Sequence, residues 1–189
     1  YLEGAAIRNI SVIPNGVDTS ILQPVEKGEA KRSLGLEGKT VIGYVGSLEY
    51  WVDLETAVQA LAELPCMYLM VVGPGLFTDY GTYISKLAEK SGVNDRVIFI
   101  GAIPYEQINR YISAMDIGLN PLKKMKKNEY AAGGKVFNYL SCGRPVLSSR
   151  MISLERLLGD EIYYYDDVPT FVTQVKSILS RPHQDSYYR

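Results

Sequence analysis

The chain has 189 residues, 47% of them hydrophobic and 22% charged, with a formal net charge of −1. That is room for one core or two small ones, in the ordinary balance of a globular domain. There is no global basic field to hold a nucleic acid, and no apolar run is long enough to cross a bilayer.

The opening YLEGAAIRNI has neither Met nor the architecture of a signal peptide. It reads as a cut inside a longer protein. Residues 1–14 are assigned as an interdomain linker, 15–180 as the folded domain and 181–189 as a polar tail. Val41–Val45 is a buried strand. From Leu54, the spacing Leu54, Ala57, Val58, Leu61 is helical. Met67–Val72 is a second strand, ended by Gly73-Pro74-Gly75. Tyr83, Ile84, Leu87 and Ala88 form the stripe of a second helix that stops at Ser91-Gly92. Val97–Ile100 is a third strand. Pro104 fits the first turn of a third helix with the stripe Ile108, Tyr111, Ile112, Met115. Ile117–Asn120 is a fourth strand. A helix follows Gly133-Gly134, then a strand at Pro145–Ser148. Leu154, Leu157 and Leu158 suggest a short helix, and Ile162–Tyr165 an edge strand. Phe171, Val175, Ile178 and Leu179 mark the last helix.

Apolar strands alternating with helices predict an α/β fold: a doubly wound parallel sheet, Rossmann-like, in a single domain. Ligands on such sheets bind beyond the carboxyl ends of the strands. The loops after Val45, Val72, Ile100 and Asn120 are therefore the places to look. Cys66 and Cys142 are far apart in apolar surroundings. They read as packed, reduced thiols of a cytoplasmic protein rather than a disulfide or a metal site. The single His183 lies in the polar tail, so this chain alone cannot assemble a histidine-centred catalytic cluster.

The stretch AAGGKVFNYLSCGRPV (131–146) carries the most chemistry. A helix start has unpaired N–H groups and a partial positive charge. Gly133 and Gly134 let an anion approach the backbone, and Lys135 adds a full charge. A cation is unfavourable in a first turn, so it calls for a compensating anion, and phosphate would serve. The alternative is a plain loop with a solvated lysine, and spacing alone does not separate the two. Gly143 and Pro145 end the helix. Gly43-Tyr44-Val45-Gly46-Ser47 ends the first strand as a backbone-donor loop would, but it is not G-x-G-x-x-G. Gly73-Pro74-Gly75 reads as a turn. Lys123, Lys124, Lys126 and Lys127 form a basic loop. Such a loop can attract phosphates or an acidic membrane surface, though a solvated loop is the simpler reading. Trp51 beside Asp53 reads as packing plus a helix N-cap.

Taken in order, these segments resemble one family. Val12–Pro24 (VIPNGVDTSILQP) looks like the interdomain lead-in of retaining glycosyltransferases of family 4, which have the GT-B fold. Val41–Leu61 resembles their first donor-domain strand, loop and helix, and Val71-Val72-Gly73-Pro74 the second strand and its turn. Val97–Leu122 and Gly133–Ser149 resemble the later motifs. The similarity runs from Ser11 to about Leu179.

The resemblance implies the C-terminal, donor-binding half of a two-domain enzyme. Its partners would be a nucleotide-diphosphate sugar, with UDP or GDP as base carrier, and the N-terminal acceptor-binding domain of the same full-length protein. No cofactor and no metal would be needed. The base would lie against Gly101, Ala102, Ile103 and Pro104. The diphosphate would meet Gly133, Gly134, Lys135, Gly46 and Ser47. The ribose would be held at Asn138, where the family's E-x(7)-E motif has its second glutamate. Tyr130 stands at the first glutamate, with Glu129 one residue out of register. Ser47 and Trp51 stand where the family often has cations, leaving Lys135, with one lysine of Lys123–Lys127, to face the phosphates. The implied activity is transfer of a sugar, with retention, to a glycan or lipid-linked acceptor. A peripheral membrane location of the full-length form is left open. The departures at Asn138, Tyr130 and Ser47 favour a second reading, a non-catalytic scaffold with a degenerate donor site. A sugar-nucleotide epimerase ranks last, for want of a histidine at the cleft.

Overall fold

A computed structural model describes residues 13, 15–131 and 133–181. The predicted linker and tail therefore fall almost wholly outside the described residues. Six parallel strands form one sheet: β1 Thr40–Val45, β2 Met67–Val72, β3 Val97–Gly101, β4 Ile117–Asn120, β5 Val146–Ser149 and β6 Tyr163–Tyr165. Their order is β3-β2-β1-β4-β5-β6. The helices are α1 Lys27–Ser33, α2 Leu54–Ala60, α3 Tyr80–Lys90, α4 Ile108–Ser113, α5 Gly134–Ser141, α6 Ile152–Leu158 and α7 Val168–Ser180. This is the doubly wound α/β fold that the alternation of apolar runs predicts.

Side chains alternate across the strands, so each strand feeds two cores. Ile42, Tyr44, Leu69, Val71, Leu119 and Leu147 pack against α2, α3 and α7 on one face. Val41, Val45, Met70, Val72 and Val146 pack against α1, α4, α5 and α6 on the other. The strands predicted at 41–45, 67–72 and 117–120 appear within one residue of those bounds.

Three local expectations are corrected. Tyr83 is half exposed, at 51%, and Tyr80 at 6% takes its place in the buried stripe of α3. Cys66 is exposed, while Cys142 is buried. Helix α1 has no counterpart in the sequence reading, because Ala30 is its one buried residue and it lacks an apolar period. Charge holds it instead. Glu26 caps it by accepting from the amides of Gly28 (2.7 Å) and Glu29 (2.6 Å). Lys27 and Lys31 then reach the buried Asp116 at 3.0 and 2.6 Å.

The sheet order reverses between β1 and β4. Only Ile42 with Ile117 and Gly43 with Gly118 pair there, and the strands then part. Gly118 lets α5 come down onto bare backbone, and Gly43 makes room for Met115, ahead of β4. A Cβ on Gly118 would lie 2.4 Å from the Tyr139 ring, and one on Gly43 2.2 Å from Met115 Sδ. The Tyr139 hydroxyl fills the gap between the parting strands. It accepts from Val45 N at 2.9 Å and donates to Leu119 O at 3.1 Å. Val45 thereby keeps a partner where the ladder has ended.

Candidate functional site

Three loops at the carboxyl ends of β1, β2 and β3 are laced together by backbone. Gly46 N donates to Val72 O (2.9 Å), Gly73 N to Gly101 O (2.8 Å) and Leu48 N to Pro74 O (2.9 Å). Gly46 and Gly73 have φ of 147° and 133°, and a Cβ on Gly73 would sit 2.1 Å from Gly46 O. Only glycine allows that approach. The Tyr44 hydroxyl donates to Ser47 O at 2.7 Å, fixing the turn that follows. Glu49, wholly buried, accepts from Leu76 N and Phe77 N, both at 3.0 Å, and ties the β2 loop to the β1 loop.

Opposite these loops stands the start of α5. Gly133 is its N-cap and supplies no side-chain hydrogen bond. The amides of Gly134 and Lys135 donate to no described residue. Space beside them is open: the atom nearest a Cβ on Gly134 would be Asn15 Nδ2, 3.7 Å away. Beneath Gly133 lies Asn120, fully buried at the end of β4, with Oδ1 lacking a partner. The Lys135 stem lies against Gly46, with Cε 3.3 Å from where a Cβ would be, and its ammonium is 5.5 Å from the Tyr44 ring centroid. No carboxylate of a described residue forms an ion pair with it. Burial lowers its pKa to about 8. Asn138 follows one turn along the same helix face, half-buried, its carboxamide bonded to no described residue.

The sequence-predicted residues thus fall in two groups along one edge of the sheet. Gly46, with Ser47 next to it, meets the Lys135 stem across the β1–β4 gap, and Gly133, Gly134 and Asn138 belong to the same helix start. Gly101, Ala102, Ile103 and Pro104 follow the edge strand β3, two strand spacings or about 10 Å from β1. Gly73 joins the groups, touching Gly46 on one side and Gly101 on the other. Gly101 turns with φ of 80°, Ala102 and Pro104 are exposed, and Ile103 is half-buried.

In the basic loop Lys124, Lys126 and Lys127 are exposed, as a solvated run would be, but three of its lysines also have partners. Lys123 pairs with Glu55 at 2.7 Å and Lys124 with Asp166 at 2.9 Å. Lys127 sits 3.9 Å over the Trp51 ring centroid and donates to the Tyr50 hydroxyl at 3.2 Å. These contacts engage Lys123, Lys124 and Lys127, and Lys126 is exposed. Asp53 does cap α2, accepting from Thr56 N at 3.3 Å. Sequence reasoning missed Tyr139, Glu49, Asn120 and Asn15. Of these, only Asn15 had a signal, as part of the motif VIPNGVDTSILQP.

The family model described as glycosyl transferases group 1 matches residues 39–181. The chain belongs to the group 1 glycosyl transferases. A 2-deoxystreptamine glucosyltransferase of Streptomyces kanamyceticus is 32% identical over 76% of this chain. A D-inositol 3-phosphate glycosyltransferase of Segniliparus rotundus is 27% identical over 82%. The chain spans 37% and 35% of those two relatives' lengths. In fold, it resembles the C-terminal domain of a group 1 family glycosyl transferase (LpcC) of Francisella tularensis. The TM-score is 0.74 at 18% identity, over 88% of this chain and 89% of that one. Anabaena Alr3699/HepE, solved in complex with UDP and glucose, matches with a TM-score of 0.75 at 20% identity, over 88% of this chain and 46% of that chain. These neighbours share the parallel α/β sheet of this chain.

Proposed function

We propose that this domain of a group 1 glycosyl transferase binds a nucleotide-diphosphate sugar across the β1–β4 gap. The pyrophosphate sits on the free amides of Gly134 and Lys135, with the Lys135 ammonium as its counter-charge. One observation carries this reading: among the described residues, a half-buried cation without an acidic partner stands at a helix start whose first amides have no acceptor. Such a corner is stabilised by an anion and strained without one. Gly46 and Ser47 approach from the other side, the Asn138 amide bonds the ribose diol without charge assistance, and Gly101–Pro104 carries the base. UDP is the first nucleotide to try, since the fold neighbour Alr3699/HepE was solved with it.

In this reading, the reaction is a retaining sugar transfer of the family 4 kind. As the sugar–oxygen bond breaks, negative charge grows on the departing diphosphate. Amides and ammonium already aimed at it stabilise that charge without a metal. The acceptor site lies in an N-terminal domain of a longer, cytoplasmic protein, so this chain alone binds donor without turning it over. Lys135→Ala should weaken UDP binding by roughly 1.5–3 kcal/mol in calorimetry, as for a lost charge-assisted hydrogen bond. Unchanged affinity for both UDP and GDP would remove Lys135 from the site.

The neutral Asn138 motivates a second reading, a scaffold that keeps the fold but not the transfer. Donor-dependent turnover by the full-length protein, assayed with UDP- and GDP-sugars, eliminates it.

A further inference from the structure

A second concavity lies on the α2/α7 face of the sheet. It is a cleft of about 410 Å³ between the first turn of α2 and the chain leaving β4, β5 and β6. It is walled off from the β1–β4 gap. Val52 and Leu122 form an antiparallel bridge there, Asp53 N donates to Pro121 O at 3.0 Å and Lys123 N to Trp51 O at 3.0 Å.

The chemistry of this cleft is unlike that of the α5 start. Its charges come in matched pairs, Lys123 with Glu55 and Lys124 with Asp166, while Arg150 also bonds Asp166 at 2.9 Å. Asp53 is spent on capping α2. Three carboxylates, Asp53, Glu55 and Asp166, and two lysines line the cleft, and both lysines are already paired, so the walls hold no spare cation but are dense in donors and acceptors. Walls whose lysines are already paired do not select a phosphate or a carboxylate. Among the described residues, no three acidic, histidine or cysteine side chains are placed to hold a metal. At the inner end lies Tyr165, 2% exposed, whose hydroxyl has no hydrogen-bond partner among the described residues. Its polar neighbour Ser149 is already engaged, accepting from Leu122 N at 2.9 Å and donating to Asn120 O at 3.4 Å. A buried hydroxyl in that state gains by bonding whatever enters. At the other end, the ring of Tyr83 stands half exposed, and the Gln59 amide lies on the same wall.

We propose that this cleft binds an uncharged saccharide, at a site distinct from that of the nucleotide-sugar. Hydroxyls around a sugar ring bond alternately to the carboxylate and ammonium groups of the pairs, to Gln59 and to the Tyr165 hydroxyl. The C–H face of the ring lies on Tyr83. The volume is that of an ordinary small-molecule site.

The test is a nuclear magnetic resonance titration of this chain with maltotriose, cellotriose and mannotriose, and with glucuronate and inorganic phosphate as charged probes. At least one neutral trisaccharide should shift the amides of Gln59, Tyr83 and Lys123. Tyr83→Ala should weaken that binding about fivefold or more, and Tyr165→Phe, which keeps the buried ring, about threefold. Lys135→Ala should leave it unchanged, and Tyr83→Ala should leave UDP affinity unchanged. The proposal falls if no neutral trisaccharide shifts those amides by about 10 mM. It falls equally if a charged probe binds there more tightly, or if the trisaccharide response disappears with Lys135→Ala.

Discussion

The Lys135 stem lies against Gly46 and its ammonium over the Tyr44 ring, with no acidic partner among the described residues, and burying that charge costs the fold free energy. The folded pKa of Lys135 is about 8, whereas a free lysine titrates near 10.4. Between those values the unfolded chain holds more protons, so stability rises with pH across that window. Below about pH 8 the whole cost of the buried charge is present. Lys135→Met keeps the stem and removes the charge. It should raise stability at pH 7 by about 1–3 kcal/mol in urea denaturation, a gain that shrinks as pH approaches about 10. The same substitution should abolish a pH dependence of UDP binding, in which affinity falls as pH rises past about 8. Gain of stability with loss of ligand is the mark of a residue held in place for binding. The glycines and the lysine of this corner were legible in the sequence as a helix-start signature. The burial of Lys135 was not, because Tyr44 and Gly46 lie some ninety residues away along the chain.

At the scale of elements, strands and most helices followed from apolar period and glycine punctuation. Helix α1 escaped because ion pairs anchor it rather than a stripe. Its hub is Asp116. Burial opposes the charge there, but the hydrogen bonds from Lys31 and Val41 N, with Lys27 nearby, outweigh it and hold the carboxyl below its ordinary range. A carboxyl depressed on folding contributes stability above its unfolded pKa and loses it as pH falls through the folded one. Asp116→Asn should therefore destabilise by about 2–4 kcal/mol at pH 7, with the difference from wild type closing as pH falls through the carboxyl's lowered folded pKa. The basic loop shows the same blind spot. The sequence gives its lysines no partners, because Glu55, Asp166 and Trp51 come from three other segments. The lacing of the strand-end loops makes a further element-scale prediction. Gly73→Ala places a methyl against Gly46 O at a φ that L residues avoid. It should cost about 1–3 kcal/mol in stability and lower UDP affinity as well, both read by thermal melts with and without nucleotide.

For the molecule as a whole, the class of fold was legible, since alternating apolar runs and helices admit few topologies. The place of the crevice was not. It depends on where the strand order reverses, and that reversal is set by pairing of Ile42 with Ile117 and Gly43 with Gly118, residues far apart along the chain. Where those strands part, a single phenol closes the gap: the Tyr139 hydroxyl bonds Val45 and Leu119. This rivet and the unused amides that begin α5 belong to one rigid eight-residue helix. An anion drawn to the first turn thus presses the rivet home. Hydrogen–deuterium exchange at the Val45 amide should slow when UDP is bound, and Tyr139→Phe should speed it in the free chain and blunt the response to nucleotide. Occupancy at the rim of the sheet would then be felt within it, one turn of helix away.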